Sequence, residues 1–393
     1  MTERLYYTDA YLTEFDADIV SIEPLENGRA AAVLDRTAFY PSSGGQPFDT
    51  GTLGSMRVLD VIDRDDGTIA HVLDSHLTPG RVHGRIDWDR RFEHMQQHTG
   101  QHVLSAAFDR LLKARTVSFH LGAAISTIDL EPAVTSEQVN EAVAAANRVI
   151  WEDRPVTVRF ADAADAAALP LRKESAREGR LRLIEVEGFD LSACGGTHVA
   201  RTGAIGVVAV PAWERYKAGT RVTFAAGVRA LREFNRLRDA AASIARAVGT
   251  SVDDAPSFVE RVQSELKDAR RVLRGMQARL AGFEADALAA RANTTNGRHA
   301  VVEAVEGWDA GGLKELASAI TGRAGYVVIL FAPSTPASVV VARAPDVQLD
   351  AAATLRAIVA RFGGKGGGRS ELAQGGGLTG SPADFVAFAR TLV

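Results

Sequence analysis

Apolar and polar positions change period along the chain, and each change marks a unit. Over residues 1–90 the apolar residues come in short alternating runs, as at residues 29–34 (RAAAVL) and 57–62 (RVLDVI), broken by turns such as Asp65-Asp66-Gly67. This pattern predicts a small β-barrel-like domain. Within it, residues 35–51 (DRTAFYPSSGGQPFDTG) carry Gly44-Gly45 and the prolines Pro41 and Pro47, which predict a shaped loop that can approach a ligand closely. The plainer alternative is a hairpin turn anchored by Phe39 and Tyr40.

Over residues 90–112 the period becomes that of a helix: Phe92, Met95, Thr99, His102, Val103, Ala106 and Leu111 recur near every 3.6 positions. Residues 116–130 read as two strands around Gly122. Residues 136–153 read as a helix capped by Ser136, and residues 155–159 and 181–186 as further strands. An α+β domain over residues 91–227 follows. Residues 228–292 are almost all helix formers, broken at residues 249–256, and predict an antiparallel helical hairpin within residues 228–296 that serves as a spacer or a dimer element. Residues 297–393 alternate strands (300–302, 326–331, 338–342) with helices (313–321, 351–362), a C-terminal glycine-rich α/β domain. The expected fold class is therefore α+β and multi-domain.

Composition narrows the function only slightly. The 46% hydrophobic and 24% charged content is that of a globular protein, and no stretch approaches the roughly 18 apolar residues of a membrane span. The N-terminus lacks the apolar core of a secretory leader, so the expected location is the cytoplasm. A net charge of −4 gives no overall attraction to phosphate, and any nucleic-acid contact must rest on local basic groups. In residues 361–377 (RFGGKGGGRSELAQGGG) glycines flank Lys365 and Arg369, a candidate phosphate cradle without the Gly-Lys-Ser/Thr ending of a nucleotide-hydrolysing loop. Arg172, Lys173, Arg177 and Arg180 form a second basic cluster, which a solvated face would explain equally well.

The candidate chemistry lies in two motifs. His98 and His102 of HTGQH are i and i+4, on one face of the expected helix, and His94 extends that row by a turn. CGGTH brings Cys194, the only cysteine, and His198, with Gly195-Gly196 permitting a tight bend. Three imidazoles and a thiolate match zinc's preference for nitrogen and sulfur donors in a tetrahedral shell. A shell filled by four protein donors favours a structural or positioning ion, whereas catalytic zinc ordinarily keeps an open position. A zinc protease is disfavoured, because Thr99 stands where the HExxH motif has glutamate.

HTGQH, CGGTHV, AFYPSSGGQPFDTG and GGKGGGRSELAQGGG, in these positions, resemble the editing half of alanyl-tRNA synthetase and, more closely, the long form of the free-standing AlaX editing proteins. The resemblance covers nearly the whole chain. It implies a trans-acting deacylase that hydrolyses tRNA(Ala) mischarged with serine or glycine, and the lack of an aminoacylation domain ahead of the motifs implies that the chain is not a complete synthetase. Carried over by position, it makes His98, His102, Cys194 and His198 the Zn2+ ligands and sets Gly44, Gly45 and Gln46 beside the pocket. It makes Thr37 the candidate partner of the seryl hydroxyl. It also sets Ser118 and His120 near the substrate, although this strand departs from the synthetase pattern; His94 receives no ligand role and is expected at the surface or behind the ligands. The C-terminal domain resembles one associated with tRNA contact and dimerisation, which implies Lys365 and Arg369 as backbone contacts and a homodimer through that domain. Two other functions stay open: a zinc-stabilised tRNA-binding module without hydrolysis, and a phosphodiesterase, the latter lacking its metal-binding aspartates.

Overall fold

The computed structural model describes residues 1–393 except 124, 163, 164, 166, 167, 173–178 and 296. The chain divides into two compact units, Met1–Ser243 and Ile244–Val393. No helix among the described residues is long and apolar enough to cross a membrane.

The first unit begins with a closed six-stranded barrel. Its strands are β1 (Glu14–Pro24), β2 (Ala30–Leu34), β3 (Gly51–Leu53), β4 (Met56–Asp63), β5 (Ile69–Leu73) and β6 (Arg81–Ile86). They run in the order β1-β2-β5-β4-β3-β6, every neighbouring pair antiparallel, with β6 returning to β1. Alternation fills the interior with Phe15, Leu34, Phe39, Leu53, Val61, Ile69 and Leu73. The segment between β2 and β3 leaves the barrel and ends in a two-residue hairpin turn. There Ser43 and Gln46 exchange backbone bonds (3.2 and 2.9 Å), and Gly44 and Gly45 take φ of +52° and +80°. Positive φ at both central positions explains the two glycines, and the buried Phe39 and Tyr40 anchor the segment.

Helix α1 (Trp88–Leu112) follows, capped by Asp87 and ended by Lys113 in the left-handed conformation. It lies against a sheet ordered β12-β13-β8-β7, made of β7 (Arg115–Leu121), β8 (Ser126–Glu131), β12 (Val208–Tyr216) and β13 (Gly219–Ala226). A Cβ on Gly100 would come within 2.9 Å of the Ala226 Cβ, so this glycine sets the approach of helix and sheet. Gln97 fixes the register by exchanging bonds with the Ala226 carbonyl (2.7 Å) and amide (2.9 Å). Helix α2 (Ser136–Trp151) packs on α1; its cap is Thr135, not Ser136, because Thr135 and Gln138 form a reciprocal capping box. A three-stranded sheet, β9 (Val156–Asp162), β10 (Arg180–Val186) and β11 (Asp190–Ala193), carries the chain into CGGTH. Helix α3 (Val228–Val248) leaves the unit.

In the second unit α4 (Ala255–Ala290) leads into a six-stranded sheet ordered β14-β15-β16-β17-β19-β18, with β14 (Asn293–Thr295), β15 (Arg298–Ala304), β16 (Tyr326–Ala332), β17 (Ala337–Arg343), β18 (Lys365–Gly368) and β19 (Leu372–Leu378). Helices α5 (Ala310–Thr321), α6 (Ala351–Phe362) and α7 (Pro382–Ala389) complete it. The glycine run forms an antiparallel ribbon, Lys365 pairing with Gly376 and Gly368 with Ala373. Its glycines admit close strand contact: a Cβ on Gly368 would fall 2.3 Å from the Ala373 Cα. Lys365 and Arg369 are exposed, at the two ends of the edge strand β18.

Candidate metal centre

His98, His102, Cys194 and His198 converge, with their donor atoms all within 4.8 Å of one another. The Cys194 Sγ lies 3.3 Å from the His98 Nε2 and 3.4 Å from the His198 Nε2. Zinc bonds of about 2.0–2.3 Å in a tetrahedron give donor separations of roughly 3.3–3.6 Å, which the two Cys194–imidazole separations meet, and the nitrogen and sulfur donor types suit that ion.

The hydrogen bonds behind the cluster sharpen the fit. The Nδ1 of His98 meets the Gln46 Oε1 at 2.8 Å, and that of His102 meets the Asp190 carboxylate at 3.0 Å. The Nδ1 of His198 meets the Thr99 Oγ1 at 3.2 Å, and Thr99 gives its own proton to the Met95 carbonyl. Gln46 Oε1, a carboxylate and a committed hydroxyl can only accept here, so each ring carries a proton on Nδ1 and leaves Nε2 as the atom that faces the other donors.

The loop that bears Cys194 is held as firmly. Arg182, buried, donates from Nη1 to the carbonyls of Cys194 and Gly196 (both 2.8 Å) and from Nε to that of Tyr7 (2.9 Å). The Gly196 amide points at the Cys194 Sγ (3.4 Å), and a Cβ on Gly196 would collide with the His98 ring at 2.1 Å. Gln46 ties this loop to the barrel segment, donating to the Thr197 Oγ1 (2.8 Å) and accepting from the Thr197 amide (3.2 Å). The same segment is locked to α1 by Asp49 and Arg91. Both are fully buried, 2.5 Å apart, and Arg91 also donates to the carbonyls of Ala10 and Ala38.

Electrostatics favour a thiolate. Burial pushes the Cys194 thiol up, but the imidazoles of His98 and His198 outweigh it and bring it well below the ordinary thiol range. Burial likewise opposes charge on Asp190, yet His102 and Arg172 (2.7 Å) hold its carboxyl at about 2. Burial, with the neighbouring His98, drives His198 down to about 3.

The other expected site residues fall in different places. Gly44 and Gly45 sit at the exposed turn beside the cluster; the Gly45 carbonyl accepts from the Leu121 amide at 3.1 Å. Thr37 is buried, giving its proton to His71 (2.8 Å) and accepting from the Phe39 amide (3.1 Å), and none of its bonds reaches the cluster. Ser118 and His120 lie on strand β7. Across β7 and β8, Phe119 pairs with buried Ile128, whereas Ser118 pairs with Asp129 and His120 with Thr127, so both lie on the sheet face turned away from α1. Phe119, passed over in the sequence, is the one whose ring approaches His98, at 6.1 Å between centroids. His94 is buried rather than at the surface, its Nδ1 without a partner among the described residues. Arg172 is engaged with Asp190 and Arg180 lies over the Phe160 ring, while Lys173 and Arg177 fall outside the described residues.

Comparison with known proteins finds relatives along most of the chain. Residues 181–221 match the threonyl and alanyl tRNA synthetase second additional domain, and residues 297–393 the DHHA1 domain. The alanyl-tRNA editing protein AlaX-L of Pyrococcus horikoshii is 30% identical over 95% of this chain and 94% of its own length. The alanyl-tRNA editing protein Aarsd1 of Danio rerio is 34% identical over 66% of this chain and 67% of its own. The alanine–tRNA ligase of Pyrococcus abyssi is 31% identical over 95% of this chain, which spans only 42% of that ligase. The C-Ala domain of Aquifex aeolicus alanyl-tRNA synthetase aligns with 26% of the chain, and 96% of that domain, at 20% identity and a TM-score of 0.24. With matches running from the barrel through the second unit, the chain belongs to the alanyl-tRNA editing protein family of the AlaX-L kind.

Proposed function

We propose that the protein is a trans-acting aminoacyl-tRNA deacylase that hydrolyses the ester of tRNA(Ala) mischarged with serine or glycine. The observation that carries this reading is the convergence of His98, His102, Cys194 and His198 beside the Gly44-Gly45 turn. Bound Zn2+, which His98, His102, Cys194 and His198 would hold, would supply a fixed positive charge that polarises and positions the substrate. Four protein donors support this positioning role over the generation of hydroxide, which ordinarily needs an open coordination position.

The chain's own groups then divide the work. Gln46, Asp190 and Thr99 hold the three rings in the tautomer that faces the ion. Thr37 is the proposed reader of the seryl hydroxyl. With its proton committed to His71 and one lone pair to Phe39, it can serve that hydroxyl only as an acceptor. The seryl hydroxyl can make this bond and the alanyl methyl cannot, which is the proposed basis of discrimination. Lys365, which opens the exposed edge strand, and Arg369, just past its end, are the proposed contacts to the tRNA backbone, and a homodimer through residues 297–393 is proposed with them.

The deciding experiment incubates the protein with seryl-tRNA(Ala) and alanyl-tRNA(Ala), with and without chelator. Serine released from the first alone, and lost on chelation, is the expected result. Binding without release of serine would favour a tRNA-binding module. Near-equal zinc content in wild type and Cys194→Ser would remove the ligand assignment, and Thr37→Val with unchanged serine-over-alanine selectivity would remove the role of Thr37.

A further inference from the structure

Phe119 stands apart from the other large aromatic side chains near the cluster. Phe39, Phe108 and Phe224 are at most 2% exposed, whereas Phe119 is 36% exposed and occupies the edge strand of its sheet. Its ring is nevertheless not loose. One side lies against Gly45, where a Cβ would come within 2.9 Å of the Phe119 Cε2, and the ring tilts toward His98 at 43°. Val117, two residues back along the same strand, is 48% exposed. An aromatic ring fixed on one side and open on the other, next to a polar reaction centre, is the arrangement of a base-stacking platform.

We infer that Phe119 stacks on the base of the 3′-terminal nucleotide of the tRNA and so registers the aminoacyl ester over the metal centre. The inference rests on the deacylase reading given above, and commits that reading to a position for the base. Geometry supplies the link: the ester hangs from the 2′ or 3′ oxygen of the terminal ribose and the base from its C1′, so one furanose ring separates them. An ester lying against His98 therefore leaves its base within reach of the neighbouring ring. Stacking is indifferent to which base is present, which suits a platform that positions rather than selects.

The test compares Phe119→Ala with wild type on uncharged tRNA(Ala) and on the same tRNA lacking its terminal base, by equilibrium binding. Phe119→Ala should weaken binding of the intact tRNA by about tenfold, in line with the loss of one base–aromatic stack, and leave the abasic tRNA unaffected. Phe119→Trp should bind the intact tRNA at least as well as wild type. In parallel, kcat/KM for 2′(3′)-O-seryl-adenosine should fall by a similar factor in Phe119→Ala, while that for the seryl ester of 1-O-methyl-ribose should not change. Equal losses with and without the base, or none in either, would overturn the assignment. Because binding needs no hydrolysis, wild type that binds with base dependence but releases no serine would overturn the deacylase reading and leave the platform standing.

Discussion

The carboxylate of Asp190 accepts the Nδ1 proton of His102 at 3.0 Å while Arg172 and Ser192 hold its other sides. The carboxylate fixes the ring and raises its basicity toward a cation, the usual arrangement behind a metal-bound histidine. Asp190→Ala should therefore lower zinc affinity by about 10- to 100-fold in competition with a chromophoric chelator. Asp190→Asn, which can still accept through its amide oxygen, should lose less. Equal affinity in all three proteins would mean that His102 needs no such support.

Arg182 is expected to act on the cluster through the backbone. Its removal strands the buried carbonyls of Cys194 and Gly196, and a bond to a charged group is worth roughly 1.5–3 kcal/mol. Arg182→Met should destabilise the protein by about 2 kcal/mol in urea unfolding. It should also speed zinc loss to a chelator, as the Cys194 turn loses its anchor. Normal zinc retention with lowered stability would confine Arg182 to a purely structural role.

Much of this centre was legible because metal ligation constrains side-chain type and spacing together: His98 and His102 one helical turn apart, Cys194 and His198 across two glycines. The barrel and α1 were equally legible from their periods of two and 3.6. What supports the ligands was not, since Asp190 and Arg182 reach the cluster through strand pairing that no local period encodes. Asp190 stands four residues before Cys194, in GFDLSACGGTH, and an acidic residue so near a lone cysteine was the only available signal. The face on which Ser118 and His120 stand was hidden for a different reason. A strand's two faces are set by its partner, and only the pairing of Phe119 with Ile128 shows which face meets α1. The glycine run near Lys365 reads equally as loop or as close-packed ribbon until its partner strand is known.

His71 should make the protein acid-sensitive. It is fully buried in the barrel, its Nδ1 bonded to the Ala32 carbonyl and its Nε2 to Thr37, and burial lowers its pKa to about 4 against an ordinary value near 6.5. Between those values the unfolded chain binds the proton and the folded chain does not, so stability rises with pH across the window. The contribution of His71 is complete above about pH 6.5, declines as pH falls toward 4 and costs about 3 kcal/mol when fully lost. Buried His94, lowered to about 3, acts in the same direction. Melting temperatures at pH 7 and pH 5 should differ less in His71→Gln than in wild type. An unchanged difference would show that the ring stays neutral in both states.

Gly45 joins the barrel turn to the metal centre, and its substitution should separate fold from function. Any side chain there must hold φ near +80°, which costs an L-residue roughly 1–2 kcal/mol. Its Cβ would also press on Phe119 at 2.9 Å. The turn is exposed and the barrel core lies elsewhere, so Gly45→Ala should fold, with a modest loss in urea unfolding. Gly44→Ala carries the same kind of backbone strain, but its Cβ meets only the Tyr40 hydroxyl, at 3.9 Å. The two variants should therefore lose similar stability, while Gly45→Ala alone displaces the Phe119 ring and depresses kcat/KM on seryl-tRNA(Ala). Matching losses of activity in both would place the cause in the turn's backbone and not in the contact between Gly45 and Phe119.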